Sequence, residues 1–137
     1  MCRFCDADPG LHSFHILDQS RDHVWYHTIV RDARDRNVSQ IVEHIDEFLQ
    51  KKPPGMTWEW SMDCRGFRIE SFTFELTMAL QRLIRTYHLT LTRFRLTHAN
   101  LFMRTFVSIC KPFLDVTVRQ VLVVESADSL DPNGSEQ

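Results

Sequence analysis

Two cysteines and two histidines near the N-terminus are the residues of this chain whose types suit a metal ion. Cys2 and Cys5 are followed by His12 and His15, which gives the pattern C-x2-C-x6-H-x2-H. Two thiolates and two imidazoles are a tetrahedral ligand set for Zn²⁺. The gap between the pairs is much shorter than in an ordinary zinc finger, and His15 fits better in a strand that begins at Phe14. The sequence therefore favours a flexible terminus over residues 1–13, and no metal site is predicted.

A cysteine nucleophile is the second chemistry to consider. Cys64 lies at a strand-to-helix turn, where a helix N-terminus and Arg65 could stabilise a thiolate. A catalytic thiol also needs a base, and His27 has no acidic residue at a spacing that would orient it. Glycine-rich phosphate loops and paired catalytic carboxylates are absent as well. The chain is therefore predicted to be non-enzymatic and to require no cofactor.

The composition of the chain limits the partners, the domain number and the cellular location that we expect. The chain has 137 residues, with 16 basic and 18 acidic side chains, so its charge does not favour a nucleic-acid partner. The length is that of one domain with a sizeable core. The sequence shows neither an apolar signal region nor a membrane-spanning stretch, and its cysteines are sparse. These features lead us to expect a cytoplasmic protein.

The element around which the others must be arranged is a strand from Trp58 to Asp63. Trp58, Trp60 and Met62 alternate with polar residues, which is the pattern of a strand with one apolar face. The turn after it leads into a helix whose apolar residues recur at helical spacing as far as Tyr87.

Similar patterns along the rest of the chain predict an α/β fold. A hairpin and a helix with His44 on its solvent face precede the central strand, and a strand, an apolar helix and a last strand follow the second helix. The predicted order is β-β-α-β-α-β-α-β, which indicates a mixed, largely parallel sheet with packed helices and an N-terminal hairpin. The predicted ranges are 14–17, 23–30, 41–49, 58–63, 72–87, 88–98, 101–112 and 118–124.

Two arginines share one face of the strand from His88 to His98. Arg93 and Arg95 alternate there with Phe94 and Leu96. The simplest interpretation is an exposed edge, because charged residues protect strand edges from aggregation. A pair with Glu59, or an anionic head group, is the alternative.

The helix from Leu101 to Pro112 is apolar around nearly all of its circumference. Such a helix must be covered on more than one side. The sheet supplies one cover, and a ligand, a protein partner or a second copy of the chain would supply the other. The alternative is a helix that is simply buried in the core. The residues that create this pattern are Leu101, Phe102, Met103, Phe106, Val107, Ile109 and Cys110.

Four short motifs resemble successive parts of the CRAL-TRIO lipid-binding domain, the domain of the tocopherol, retinaldehyde and phosphatidylinositol transfer proteins. The resemblance extends from about Phe14 to Val124, and the run that begins with Lys-Pro-Phe-Leu-Asp is its most specific part. The motifs span residues 62–67, 87–88, 94–100 and 111–118.

The resemblance implies a non-enzymatic domain that holds one hydrophobic ligand between the sheet and a mobile gate helix. Trp58, Trp60 and Met62 would form the floor of the site, and Arg93 or Arg95 would meet a head group. The inner face of the gate would consist of Met103, Phe106, Val107 and Cys110.

We expect a short member of that family over residues 14–125, without its N-terminal helical bundle and its C-terminal segment. The tail over 126–137 is expected to be disordered. Peripheral membrane contact would accompany lipid binding. The alternative is a protein-interaction domain of the same fold, forming a homodimer through the gate helix.

Overall fold

The computed structural model describes residues 3–68 and 73–126, apart from the side chains of Arg3 and Phe4. Five helices and five strands make up these ranges, and short 3₁₀ turns join some of them. The elements are α1 (Arg3–Ala7), β1 (His15–Gln19), β2 (His23–Ile29), α2 (Val38–Lys51), β3 (Thr57–Asp63), α3 (Phe74–Thr86), β4 (Leu91–Ala99), α4 (Leu101–Cys110), α5 (Val116–Val121) and β5 (Leu122–Ser126).

The strands form a single sheet in the order β1-β2-β3-β4-β5. β1 pairs antiparallel to β2, and every later pair is parallel. This confirms the predicted mixed, largely parallel α/β fold with an N-terminal hairpin. From β2 to β5, each new strand is added at the same edge of the growing sheet. Right-handed crossovers between these strands therefore place α2 to α5 on one face of the sheet.

The face of the sheet beneath the helices is the apolar core. Val24 and Tyr26 of β2 and Trp58 and Trp60 of β3 are almost completely buried. The ring of Phe14 stacks on Tyr26 at a centroid distance of 4.9 Å. The period-two pattern of Trp58, Trp60 and Met62 therefore identified the apolar face by which β3 is buried.

Side-chain caps fix where the longer helices begin. Asn37 accepts a hydrogen bond from the Gln40 backbone N–H at 3.0 Å, as its position before α2 predicts. Thr73 caps α3 through the Leu76 N–H, and Asn100 caps α4 through the Met103 N–H. These caps satisfy donors that the first helical turn would otherwise leave unpaired.

Three features differ from the sequence prediction. The segment expected to be flexible contains α1 over Arg3–Ala7, and His12 is buried. His44, expected on the solvent face of α2, is only 5% exposed because the N-terminal segment covers it. The last strand begins at Leu122 rather than Val118, because Asp115 caps a short helix at that position.

The predicted tail lies outside the described residues except for Ser126, which ends β5. Within 3–68 and 73–126, none of the helices has the length and apolar character needed to cross a bilayer.

Candidate ligand-binding cavity

An apolar cavity lies between α4, α3 and the sheet. All four residues predicted for the inner face of the gate helix line it, namely Met103, Phe106, Val107 and Cys110. The other lining residues come from α3, β4, α5, β5 and the segment before α5. They are Thr77, Leu80, Gln81, Ile84, Phe94, Leu96, Leu114, Val118 and Leu122.

Helical spacing positions the upper wall of the cavity. Met103, Phe106, Val107 and Cys110 stand at intervals of three and four residues, so they share one face of α4. Met103 and Cys110 are 1% and 2% exposed, and they hold the two ends of this face against the body of the domain. The Asn100 cap sets the rotation of α4 by fixing its first turn.

Strand β4 supplies the floor of the cavity. Phe94 and Leu96 point toward α4, and Leu122 of β5 lies beside Phe94 in the sheet. Sequence analysis had placed Phe94 and Leu96 on one face but had not assigned them to the site. The missing information was the strand order, which decides that α4 lies over β4 rather than over β3.

The predicted floor residues of β3 lie beside the cavity and do not line it. Trp60 stacks on the ring of Phe94 at 4.9 Å and therefore supports the floor from the side. Trp60 and Met62 instead line a smaller space of about 50 Å³ under α2 and α3. Trp58 is fully buried and donates its indole N–H to the Tyr87 carbonyl at 3.1 Å.

The cavity is small in this conformation. Its volume is about 60 Å³, whereas a cavity of about 150 Å³ is known to hold one benzene molecule. An acyl chain therefore does not fit unless α4 moves away from the sheet.

The outer face of α4 is apolar and open to solvent. Leu101 and Phe102 are each 68% exposed, and Ile109 is 62% exposed. Nearby, the ring of Phe113 meets that of Phe74 edge-on at 5.5 Å. Among the described residues, only the inner face of α4 is packed. The second cover that the sequence predicts for this helix is therefore not seen among them.

Both candidate head-group arginines lie on the opposite face of the sheet from the cavity. Arg93 and Arg95 alternate with Phe94 and Leu96, so they point away from α4. Arg95 makes two 3.0 Å hydrogen bonds to Glu125 and lies 3.8 Å from Glu59. Arg93 is exposed. Neither arginine is placed to meet the head group of a ligand held under α4.

Of the two residues considered for covalent chemistry, Cys64 is buried and His27 is half-buried. Burial raises the pKa of the Cys64 thiol to about 12, and the Asp63 charge adds to that effect. His27 accepts or donates a 2.7 Å hydrogen bond at Ser61, a hydroxyl that is itself 3% exposed. Burial also lowers the pKa of His27, with a further decrease from His15.

The chain matches no protein-family profile and no curated protein. Among solved structures it is similar to the crystal structure of Sfh5, with a TM-score of 0.58 and 13% sequence identity. The likeness is one of fold. The match covers 77% of this chain but only 44% of Sfh5, so the chain spans less than half of the length of that structure. The five-stranded, mostly parallel sheet with packed helices is consistent with a CRAL-TRIO-like fold.

Proposed function

We propose that this chain binds a hydrophobic ligand, a lipid, between α4 and the sheet. The observation that carries the proposal is the apolar cavity lined by the inner face of α4. Met103, Phe106, Val107 and Cys110 would contact the ligand directly. The CRAL-TRIO-like fold supports this choice, because the family resemblance assigns the ligand to the same position.

Binding requires α4 to move outward, and the energetics allow it. Only Met103 and Cys110 of this helix are fully buried, while Phe106 and Val107 are half-buried. When α4 moves outward, these side chains lose their contacts with the sheet. A ligand that fills the gap would bury the same apolar surface again. About ten methylene groups would contribute about 8 kcal/mol at about 0.8 kcal/mol each. The domain would bind without chemical conversion, since the Cys64 thiol is shielded from a substrate.

Native mass spectrometry of freshly purified protein tests the proposal directly. We expect a bound mass of a few hundred daltons that is lost on denaturation, because an apolar ligand should remain with its cavity. Solvent extraction of the same sample then identifies its class. Protein purified from several hosts without any bound lipid would contradict the proposal.

Two substitutions on the same helix provide a matched pair. Val107→Phe fills the cavity, whereas Ile109→Phe adds the same ring at a position that is 62% exposed. We expect the first change to weaken binding of the fluorescent fatty acid cis-parinaric acid by about tenfold, which corresponds to about 1.4 kcal/mol. The second should leave it unchanged. Equal affinities for both variants would place the ligand elsewhere.

Self-association through the outer face of α4 is a second candidate, favoured by the exposure of Leu101, Phe102 and Ile109. A helix face with three large exposed apolar residues is typical of an interaction surface. Sedimentation over a range of protein concentrations tests this function. A dimer that Phe102→Asp converts to a monomer would support it, whereas a wild-type monomer throughout the range would rule it out. Unchanged parinaric acid binding in Phe102→Asp would separate this function from lipid binding.

A further inference from the structure

Three potential metal ligands from distant parts of the sequence meet beside α2. Cys5 Sγ lies 3.4 Å from His12 Nδ1 and 3.6 Å from His44 Nδ1. The three ligand atoms all lie within 4.8 Å of one another, and both histidines are 5% exposed. The sequence pattern had included Cys5 and His12, but it had paired them with His15. His15 is exposed on β1, where its ring lies against His27.

The second ring nitrogen of each histidine has a partner that orients the ring. His12 Nε2 lies 2.8 Å from Asp35 Oδ2, and His44 Nε2 lies 3.1 Å from the Phe14 carbonyl oxygen. A neutral imidazole that donates from Nε2 carries its lone pair on Nδ1. Both Nδ1 lone pairs are therefore directed toward Cys5. Metal-binding histidines almost always donate their other N–H to a carboxylate or a backbone carbonyl in this manner.

The two sulfur-to-nitrogen distances agree with those expected in a tetrahedral metal site. With Zn–S of about 2.3 Å and Zn–N of about 2.05 Å, tetrahedral angles place sulfur and nitrogen about 3.6 Å apart. The two S–N distances are 3.4 and 3.6 Å. A hydrogen-bonded cluster explains them less well, because one thiol proton can serve only one of the two imidazoles.

A carboxylate adds negative potential close to the three ligands. Glu47 follows His44 by less than one helical turn and lines the same surface groove as Cys5 and His44. Its Oε1 is buried and has no hydrogen-bond partner among the described residues. Such an atom is unusual in a folded protein and favours a nearby cation.

We propose that Cys5, His12 and His44 bind a Zn²⁺ ion. One thiolate and two imidazoles suit zinc, since calcium and magnesium prefer oxygen ligands. Cys2 forms a C-x2-C pair with Cys5 in the sequence but lies outside the described residues, and the assignment of the three ligands does not depend on it. The ion would hold the N-terminal segment, which contains α1, against helix α2.

Zinc titration of the reduced full chain tests the site, with a colorimetric chelator as competitor. We expect one Zn²⁺ per chain. His12→Ala and His44→Ala should each weaken binding by about 100-fold, the upper end of the effect seen when even an outer partner of a metal ligand is removed. Asp35→Asn should weaken it by about tenfold for the same reason. His15→Ala is the matched control and should bind as the wild type does.

Cobalt substitution tests the site in the wild-type chain, so the result does not depend on whether a variant folds. Tetrahedral Co²⁺ with a Cys5 thiolate should give intense visible bands and a sulfur-to-cobalt charge-transfer band in the near ultraviolet. Absence of the charge-transfer band, or zinc binding that His15→Ala weakens as much as His44→Ala does, would overturn the proposal. Failure of lipid binding would not affect it, because the two sites share no residue.

Discussion

At the scale of single residues, the ionised form of Asp63 is stabilised by one neighbour, Arg65. It is 5% exposed and accepts hydrogen bonds from the Arg65 backbone N–H at 3.0 Å and from the Arg65 Nη2 at 2.6 Å. Burial acts to raise the pKa of Asp63, but the hydrogen bonds and charge of Arg65 outweigh it and lower this pKa below its ordinary range. The ionised carboxylate is therefore part of the folded state.

We expect Asp63→Asn to lower the free energy of unfolding by about 2 kcal/mol at neutral pH, the contribution of a charged hydrogen-bonded pair. Because the folded-state pKa lies below the unfolded-state value, the contribution is complete above about pH 4 and is lost as pH falls through the folded pKa. Urea denaturation at several pH values should show the two proteins converge in acid. Asp18→Asn, at an exposed position, should change little at any pH.

A second prediction at this scale concerns the reactivity of Cys64. With a thiol pKa of about 12, about one molecule in ten thousand carries the thiolate at about pH 8. Alkylation of Cys64 by iodoacetamide in the native protein should therefore be far slower than that of free cysteine. The same peptide should react at the ordinary rate in urea, as peptide mass spectrometry can measure. A fast native reaction would reopen the catalytic interpretation.

At the scale of elements, the two faces of α4 should contribute unequally to stability. Met103 is 1% exposed, whereas Phe102 beside it is 68% exposed. We expect Met103→Ala to cost about 3 kcal/mol, because it enlarges an existing cavity. Phe102→Ala should cost less than about 0.5 kcal/mol. Equal losses in chemical denaturation would mean that the outer face is covered in solution.

The short helix α5 should depend on its N-cap residue, Asp115. The Asp115 side chain accepts the Thr117 backbone N–H at 2.9 Å and the Thr117 hydroxyl at 2.8 Å. Asp115→Ala should destabilise the protein and speed amide hydrogen exchange at Thr117, because the first turn of α5 loses its side-chain cap. Asp115→Asn keeps a capping oxygen and should remain close to the wild type in both measurements.

Helix α5 also shows where sequence patterns stop being informative about elements. Val118 and Val121 favour a strand by local propensity, and the prediction extended the last strand back to Val118 on that basis. A cap and the burial of Val118 against the cavity select a helix instead. The same limit applies to His44: its polar type placed it on the outer face of α2, and only the folded N-terminal segment explains its burial.

At the scale of the whole molecule, the fold was more predictable than the site. Alternation in β2 and β3 and helical spacing in α2 to α4 gave the element order. The inner face of α4 was predicted from the family resemblance, because a helix that is apolar around nearly all of its circumference does not itself show which face is covered. The floor of the cavity depends on which strands lie beneath α4, and periodicity carries no information about strand neighbours. The family resemblance assigned the floor to Trp58, Trp60 and Met62, whereas Phe94 and Leu96 line the cavity.

The sequential strand order has a further consequence for how the chain folds. Each strand of the sheet pairs with the strand made just before it, so no pairing has to wait for a distant segment. Loop closure therefore costs only the entropy of one crossover at a time. The last crossover carries α4, so the site is completed when β5 joins the sheet. Folding can begin with the N-terminal hairpin and extend during synthesis, with α4 packed against the sheet last.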